Sequence, residues 1–274
     1  MGVGYTTIMY DAESLETGVS DISVCRYNGI EIGLGKIRAV GADTVGNWLN
    51  TYNLDLYCVM SHWIESATVA ERVADDTEMI ADLGAEFIGI LPPHRHRNDD
   101  ETVEEWLVTI CDAAAEAGIT PLLHHHGATH TEQPDEIRQF LDVHESLQLV
   151  FDTAHWYPYG EHFPDGNITD GIEQFANDIA YVHLKDIAPT SSFAKNRDAL
   201  SCPQPHLDNI INYFRTFTDL GDGTLDFISA LDALDAIGYD GHYTIEIENR
   251  TKQPLVHAKQ NMDNWRDLVN HDRI

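Results

Sequence analysis

Positive charge is what this sequence has least of. Its 274 residues carry 46 Asp and Glu against 16 Lys and Arg, and only five of those cations are lysines, for a formal net charge of −30. Such a surface repels phosphate backbones and anionic lipid at any distance that salt does not screen, which disfavours nucleic acid and membrane headgroups as partners. The same imbalance fits a high-salt cytoplasm, where self-repulsion is screened, so a salt-adapted acidic surface is expected. Cysteine is sparse as well: Cys25, Cys58, Cys111 and Cys202 lie far apart. They lack the paired spacing of a zinc cluster or a disulfide framework, and suit a reducing compartment. Long apolar runs are missing, none approaching the roughly 18 residues of a membrane helix. Met1 to Tyr10 has no basic stretch followed by an apolar core. The expectation from these absences is a cytoplasmic protein.

What is present is enough apolar material for a full core, 43% hydrophobic residues and five Trp. The length suits one large domain, since α/β barrels commonly run to about 250 residues as a single unit. Short β-prone segments recur along the chain: 4–9, 29–33, 54–60, 86–91, 119–124, 147–152, 179–184 and 242–247. Between them fall stretches with helical spacing. One starts at Thr68 with Val69, Val73, Ile80 and Leu83 and stops at Gly84; another runs from Thr102 to Ala117 and is closed by Gly118. Further helices are expected over 44–52, 135–145, 169–177 and 226–237, with a last one to about Asn270. The rhythm breaks over 188–223, a proline-containing excursion ending in Leu220-Gly221-Asp222-Gly223, which reads as a loop and a candidate lid. Eight strands alternating with helices imply parallel pairing and permit closure into a (β/α)8 TIM barrel; a doubly wound sheet is the alternative. Ligand-type residues follow strands two to eight, a spread that a closed ring gathers at one mouth, and this favours the barrel.

Four of those exits share one form, an apolar strand that delivers metal-capable side chains: Leu122-Leu123-His124-His125-His126, Leu149 to His155, Ala180 to Asp186, and Tyr243 to Glu248. A divalent metal needs three or four lone-pair donors converging within about 2.0–2.6 Å. His124, Asp152, His183 and Glu246 can supply them, one from each of four consecutive strand ends. Taken singly, each also has a structural explanation, a satisfied histidine at the rim or an Asp capping the next helix. A strand end alternates its side chains, so His125 is expected to point away from His124 and His126 and to serve packing.

Asp152-Thr153-Ala154-His155, Val182-His183-Leu184-Lys185-Asp186 and Gly238 to Glu246 resemble the signature segments of the xylose isomerase-like TIM barrels. That superfamily covers sugar isomerases and epimerases, inosose dehydratases and apurinic endonucleases. The resemblance spans essentially the whole chain and is strongest from Leu122 onward. It implies a single divalent ion, manganese first with magnesium, cobalt or zinc as alternatives, held by Asp152, His183, Glu246 and the group that ends the fifth strand, His124. It also implies that His155 and Lys185 line the substrate site with Glu248 nearby; an ion pair with Asp186 is the structural alternative for Lys185. Trp63 and Trp156 are candidate apolar walls, and His62, His94 and His126 candidate substrate contacts. One departure matters: many isomerases and epimerases of the superfamily have Glu where this chain has His124, and the His-rich run followed by Gly127 is similar to the inosose dehydratase branch.

Metal-dependent isomerase or epimerase chemistry on a ketose or related polyol is placed first, as the family's broad default. Inosose dehydration follows on the strength of the histidine run, and a non-catalytic sugar- or metal-binding barrel comes third. All the reactions begin with removal of a proton next to a carbonyl. Glu246 or Glu248 is the candidate base and His126, His155 or Lys185 the candidate acid. A small sugar or cyclitol is the expected partner, with room for a homo-oligomer. The endonuclease branch needs phosphate-binding cations, which the charge opposes.

Overall fold

The computed structural model describes residues 2–271. Seven strands, β1 (Val3–Thr6), β2 (Gly29–Gly33), β3 (Asp55–Trp63), β4 (Phe87–Leu91), β5 (Thr120–His124), β6 (Gln148–Asp152) and β7 (Ile179–Leu184), follow one another around a parallel barrel. A short antiparallel hairpin, β8 (Asp186–Ile187) with β9 (Phe217–Thr218), stands outside it. The last barrel strand, β10 (His242–Ile245), pairs with β7 on one side and β1 on the other, and since β1 also pairs with β2, no edge is left. The expected (β/α)8 barrel is the observed architecture.

Helices α1 (Leu15–Val24), α2 (Leu34–Val40), α3 (Ala42–Tyr52), α4 (Ala67–Asp75), α5 (Thr77–Asp82), α6 (Asp100–Ala117), α7 (Pro134–Leu141), α8 (Thr153–Trp156) and α9 (Thr169–Gln174) are returned between strands. After them come α10 (Phe193–Leu200), α11 (Leu207–Phe214), α12 (Phe227–Ala236) and α13 (Pro254–His271). The helix expected from Thr68 to Leu83 is two helices, because Asp76 closes α4 and opens α5 while Thr77 Oγ1 turns back to the Ala74 carbonyl at 2.8 Å. The first strand ends at Thr6, where Tyr10 N–H donates to the Thr7 carbonyl and turns the chain. Helix α2, which follows β2 without a gap and is closed by Gly41, is not legible as a helix because it has only seven residues and Gly35 among them. The 188–223 segment is no bare loop: it holds α10, α11 and β9.

The core has two parts. Between barrel and helices lies the larger, built from outward strand residues such as Val59, Ile88, Ile90, Leu123, Phe151 and Val182 with the inner faces of the helices. Inside the barrel, Tyr57, Cys58, Leu122, Val150 and Tyr181 pack against one another. Filling the barrel this way makes it a plug and leaves only the C-terminal mouth for chemistry.

Candidate active site

Strand periodicity builds the site from that plug. Leu122, Val150 and Tyr181 point inward, so the next inward position on each strand, two residues on, is His124, Asp152 and His183. On β10 the Thr244 hydroxyl meets Tyr181 Oη at 2.5 Å inside the barrel, and two residues on comes Glu246. Donor atoms of His124, Asp152, His183 and Glu246 all lie within 4.8 Å of one another, and all four residues are buried.

The donor set fits a divalent cation. Asp152 Oδ1 caps α8, accepting from Ala154 N at 3.0 Å and His155 N at 2.9 Å, which leaves Oδ2 facing the cluster. Asp152 Oδ2 and Glu246 Oε2 are buried with no hydrogen bond, an expensive condition unless something else binds them, and His124 turns its Nε2 to the same space, 3.8 Å from Asp152 Oδ2. His183 Nε2 lies 2.8 Å from Glu31 Oε2; donating there leaves Nδ1 as a bare lone pair, 3.2 Å from His124 Nε2. A carboxylate that orients the far nitrogen of an imidazole is the usual support of a metal-binding histidine. The field agrees. Burial opposes an imidazolium at His183, yet Glu31, Glu246 and Asp152 outweigh it and raise its pKa well above the ordinary value, so the constellation attracts positive charge.

Beside the cluster the Lys185 ammonium is almost fully buried. It contacts Glu246 Oε2 closely and lies 3.2 Å from Asp152 Oδ2, 3.2 Å from Glu248 Oε2 and 3.3 Å from His155 Nε2. The proximity to Asp152 and Glu246 is electrostatic, since neither of those oxygens accepts a bond of good geometry. Burial disfavours the ammonium, but Asp152, Glu246 and Glu248 hold its pKa well above the ordinary lysine value. Glu248 is raised as well: burial, aided by Glu246 and Asp152 and opposed by Lys185, takes it up to about 7. Burial and the Lys185 charge bring His126 down to about 4, and burial with His126 and Lys185 holds His155 well below the ordinary imidazole value. Both imidazoles are therefore neutral. The Nδ1–H of His126 donates to the Gly127 carbonyl at 2.8 Å, which leaves its Nε2 as an acceptor.

These groups open onto a cavity of about 510 Å³. His124, His126, Lys185, Glu246 and Glu248 line it, as do His62 and Trp63 at the exit of β3. His155 stands behind Lys185. Two expected substrate contacts fall elsewhere. Trp156 does not reach the cavity: α8 starts directly after Asp152 and turns its indole outward, where it is 1% exposed, packs on Phe151 and Phe175, and donates Nε1–H to Asp170 at 3.3 Å. His94 lines a neighbouring cavity, its Nε2 at 3.2 Å from the Leu200 carbonyl. Nor does Lys185 pair with Asp186. Alternation sends the Asp186 carboxylate to the opposite side, where it accepts from the backbone N–H groups of Gly221, Gly223 and Leu225.

Sequence reasoning missed Glu31, Lys36 and the bond made by His125. Glu31 was visible only as an acid near the end of β2. Lys36, on α2, lines the cavity and bonds the Thr7 carbonyl, with its pKa lowered to about 8 by burial. His125 points outward as expected, but it does more than pack: its Nε2 accepts the Asp152 N–H at 2.9 Å and so fixes the end of β6.

A closed parallel barrel with a buried carboxylate–imidazole constellation and an adjoining lysine at its C-terminal mouth defines a TIM barrel with a candidate metal site at that mouth. The family model described as xylose isomerase-like TIM barrel matches residues 18–269, and the chain belongs to that family. Among curated relatives, an inosose dehydratase of Klebsiella pneumoniae (strain 342) is 33% identical over 177 residues, 64% of this chain. That match spans only 56% of the relative's length. The rhizopine catabolism protein MocC of Rhizobium meliloti is 28% identical over 276 residues, 91% of this chain and 80% of that one. Among solved structures, the IOLI protein with a bound zinc atom superposes with a TM-score of 0.75 at 13% identity, covering 99% of each chain, a likeness of fold alone.

Proposed function

We propose that the protein is a divalent-metal-dependent dehydratase of a keto-polyol, with an inosose-type keto-cyclitol as the substrate class. Its metal would be held by His124, Asp152, His183 and Glu246. When bound, the metal would polarise the substrate carbonyl and lower the pKa of the neighbouring C–H. The mixed carboxylate and imidazole set suits manganese, cobalt or zinc and does not choose among them. Inosose dehydratases among the relatives, and histidine instead of Glu at position 124, support elimination over the isomerase or epimerase chemistry placed first on sequence.

The observation that carries this reading is the contact of Lys185 with Glu248, 3.2 Å apart at the wall of the cavity. Glu248, with a pKa of about 7, is poised as a base near neutral pH. It takes the proton from the carbon next to the ketone, and the C–H electron pair becomes the enolate. As the enolate collapses to a C=C bond, the β C–O bond breaks and the departing hydroxyl takes a proton from the Lys185 ammonium, leaving as water. Glu248 then returns its proton to Lys185 across their shared hydrogen bond. Both groups are restored, and the net change is loss of one water. Neutral His155 accepts from Lys185 and aims its ammonium. Segment 188–223 serves as the cover: His94 and His96 reach the Leu200 and Ser201 carbonyls, and Ser201 Oγ donates to Glu132 at 2.7 Å, joining the insertion to the rim.

Epimerisation is the second reading, favoured by one feature. Neutral His126 faces the same cavity from β5 with its Nε2 free to take a proton, as a base opposite Glu248 must. Incubating metal-loaded protein with inososes and ketoses in deuterated water separates the two. Dehydration gives an unsaturated or diketo product. Solvent deuterium in a rearranged sugar with no water lost would overturn the dehydratase reading for the epimerase, and neither change would favour a binding protein. Glu248→Gln should lower kcat by about 10²–10⁴-fold, the usual worth of a general base.

A further inference from the structure

A second cavity, of about 340 Å³, adjoins the first. The two share Trp63 and His126, whose rings meet edge to face with centroids 5.0 Å apart. Trp63 and His126 thus form the boundary at which a group reaching out of the first cavity would meet the second. The insertion supplies Leu200, Pro205, Ile210 and Phe214 to the second cavity, and Trp63 adds its indole. Most of its polar groups are already engaged: His94 Nε2 with the Leu200 carbonyl, Arg97 with Glu65, and Thr129 Oγ1 with the His126 carbonyl at 2.7 Å. Away from His126 Nε2 at the shared wall it presents mainly hydrocarbon, and Trp63 there is 40% exposed. Water in such a space finds few partners, so a hydrocarbon group displaces it at a gain.

We infer that this second cavity is a substrate subsite for an apolar substituent, a short alkyl group carried on one oxygen of the polyol. The substrate is then an ether or glycoside of a keto-polyol instead of the free polyol. This rests on the reading that the first cavity takes a keto-polyol. The volume is near the lower end for small-molecule sites, enough for a short chain and too small for a second hydrated sugar beside it.

Calorimetric titration of the metal-loaded full chain with an inosose and its O-methyl, O-ethyl and O-propyl ethers tests the subsite. Burial of each added methylene should tighten Kd about fourfold along the series. Ile210→Trp, which fills the cavity, should flatten the dependence. If Kd in the unmodified protein is flat or weakens with chain length, or if no member binds, the subsite is wrong. If Ile210→Trp folds and keeps the full dependence, the location is wrong. Should that variant fail to fold, the unmodified protein's own series still decides. Dehydration of the free inosose is followed separately on the same samples: its absence beside a steep alkyl series would remove the proposed reaction and leave the subsite standing, and turnover beside a flat series would do the reverse.

Discussion

Glu31 and Asp152 support the cluster from different distances, and substitution should separate their effects. Asp152→Ala or Glu246→Ala deletes a donor and should abolish metal retention, read as metal per chain by elemental analysis after gel filtration; undiminished occupancy in Asp152→Ala would sink the site as drawn. Glu31→Gln keeps the shape of the side chain but weakens its hold on His183, and should cost about 10–100-fold in metal affinity. His125→Ala should leave metal stoichiometry unchanged. It strips a buried Asp152 N–H of its acceptor, so a loss of about 1–3 kcal/mol in urea unfolding is expected. Lys36 gives the pH dependence. Its pKa is about 8 when folded, against about 10.4 for an unperturbed lysine. Between those values the unfolded chain holds the extra proton, so this group's contribution to stability rises with pH through the window and is lost as pH falls through 8. Stability of the unmodified protein relative to Lys36→Met should climb from pH 8 to 10, and a flat difference would place an ordinary lysine there. Legibility at this scale followed chain geometry. His124, Asp152, His183 and Glu246 were readable because each ends an apolar strand at an inward position. Glu31 was not, because the residue that gives it a role, His183, is distant in sequence and adjacent only once the barrel closes. Trp156 misled for a local reason: Asp152 caps a helix as well as facing the cluster, and that turn takes the indole out of the mouth.

At the scale of elements, the insertion over 188–223 is tied down at several points, among them Arg197 on the Pro158 carbonyl, Ser201 on Glu132, and Asp219 with His257 and Asn261. Asp186 holds its return, its two oxygens receiving N–H groups from Ile187, Gly221, Gly223 and Leu225. Gly223 sits so close that a Cβ there would fall 2.3 Å from Asp186 Oδ1 and 2.5 Å from the Ile187 carbonyl. Gly223→Ala should therefore loosen the return of the insertion while Asp219 still holds it to α13, so that limited proteolysis cuts within 188–223 faster with the barrel intact. Cleavage at the unmodified rate would show that the anchor is dispensable. Prolines 189, 203 and 205 made this segment read as loop, and they do bound its pieces. Helix α10 lies between Pro189 and Pro203 and α11 follows Pro205, and at eight residues each they are too short for their apolar spacing to stand out beside the prolines. The barrel strands were readable for the opposite reason: they are buried on both faces, and continuous apolar runs announce that.

At the scale of the whole molecule, the acidic surplus is the property that no pairing inside the chain removes. Several arginines are engaged locally, Arg38 with Asp76, Arg95 with Glu136 and Arg138 with Asp178, while two of the five lysines, Lys36 and Lys185, line the cavity and not the outer surface. Two of the 16 cations thus sit where the chemistry is proposed, and the chain as a whole keeps a net charge of −30, which repels itself. The screening length falls from about 10 Å at 0.1 M salt to about 3 Å at 1 M, shorter than the spacing of most surface charges. If the acidic composition is a salt adaptation, the thermal midpoint should rise over that range and do so equally with NaCl and KCl, since screening depends on ionic strength and not on the cation. Metal-loaded and metal-free protein should rise in parallel, because the buried donor set is shielded from bulk ions whereas the surface is not. A midpoint already maximal in salt-free buffer would show that packing of the two cores outweighs the repulsion. A rise confined to the metal-free form would place the sensitivity at the donor cluster, where a bound cation already neutralises the carboxylates, and not on the surface.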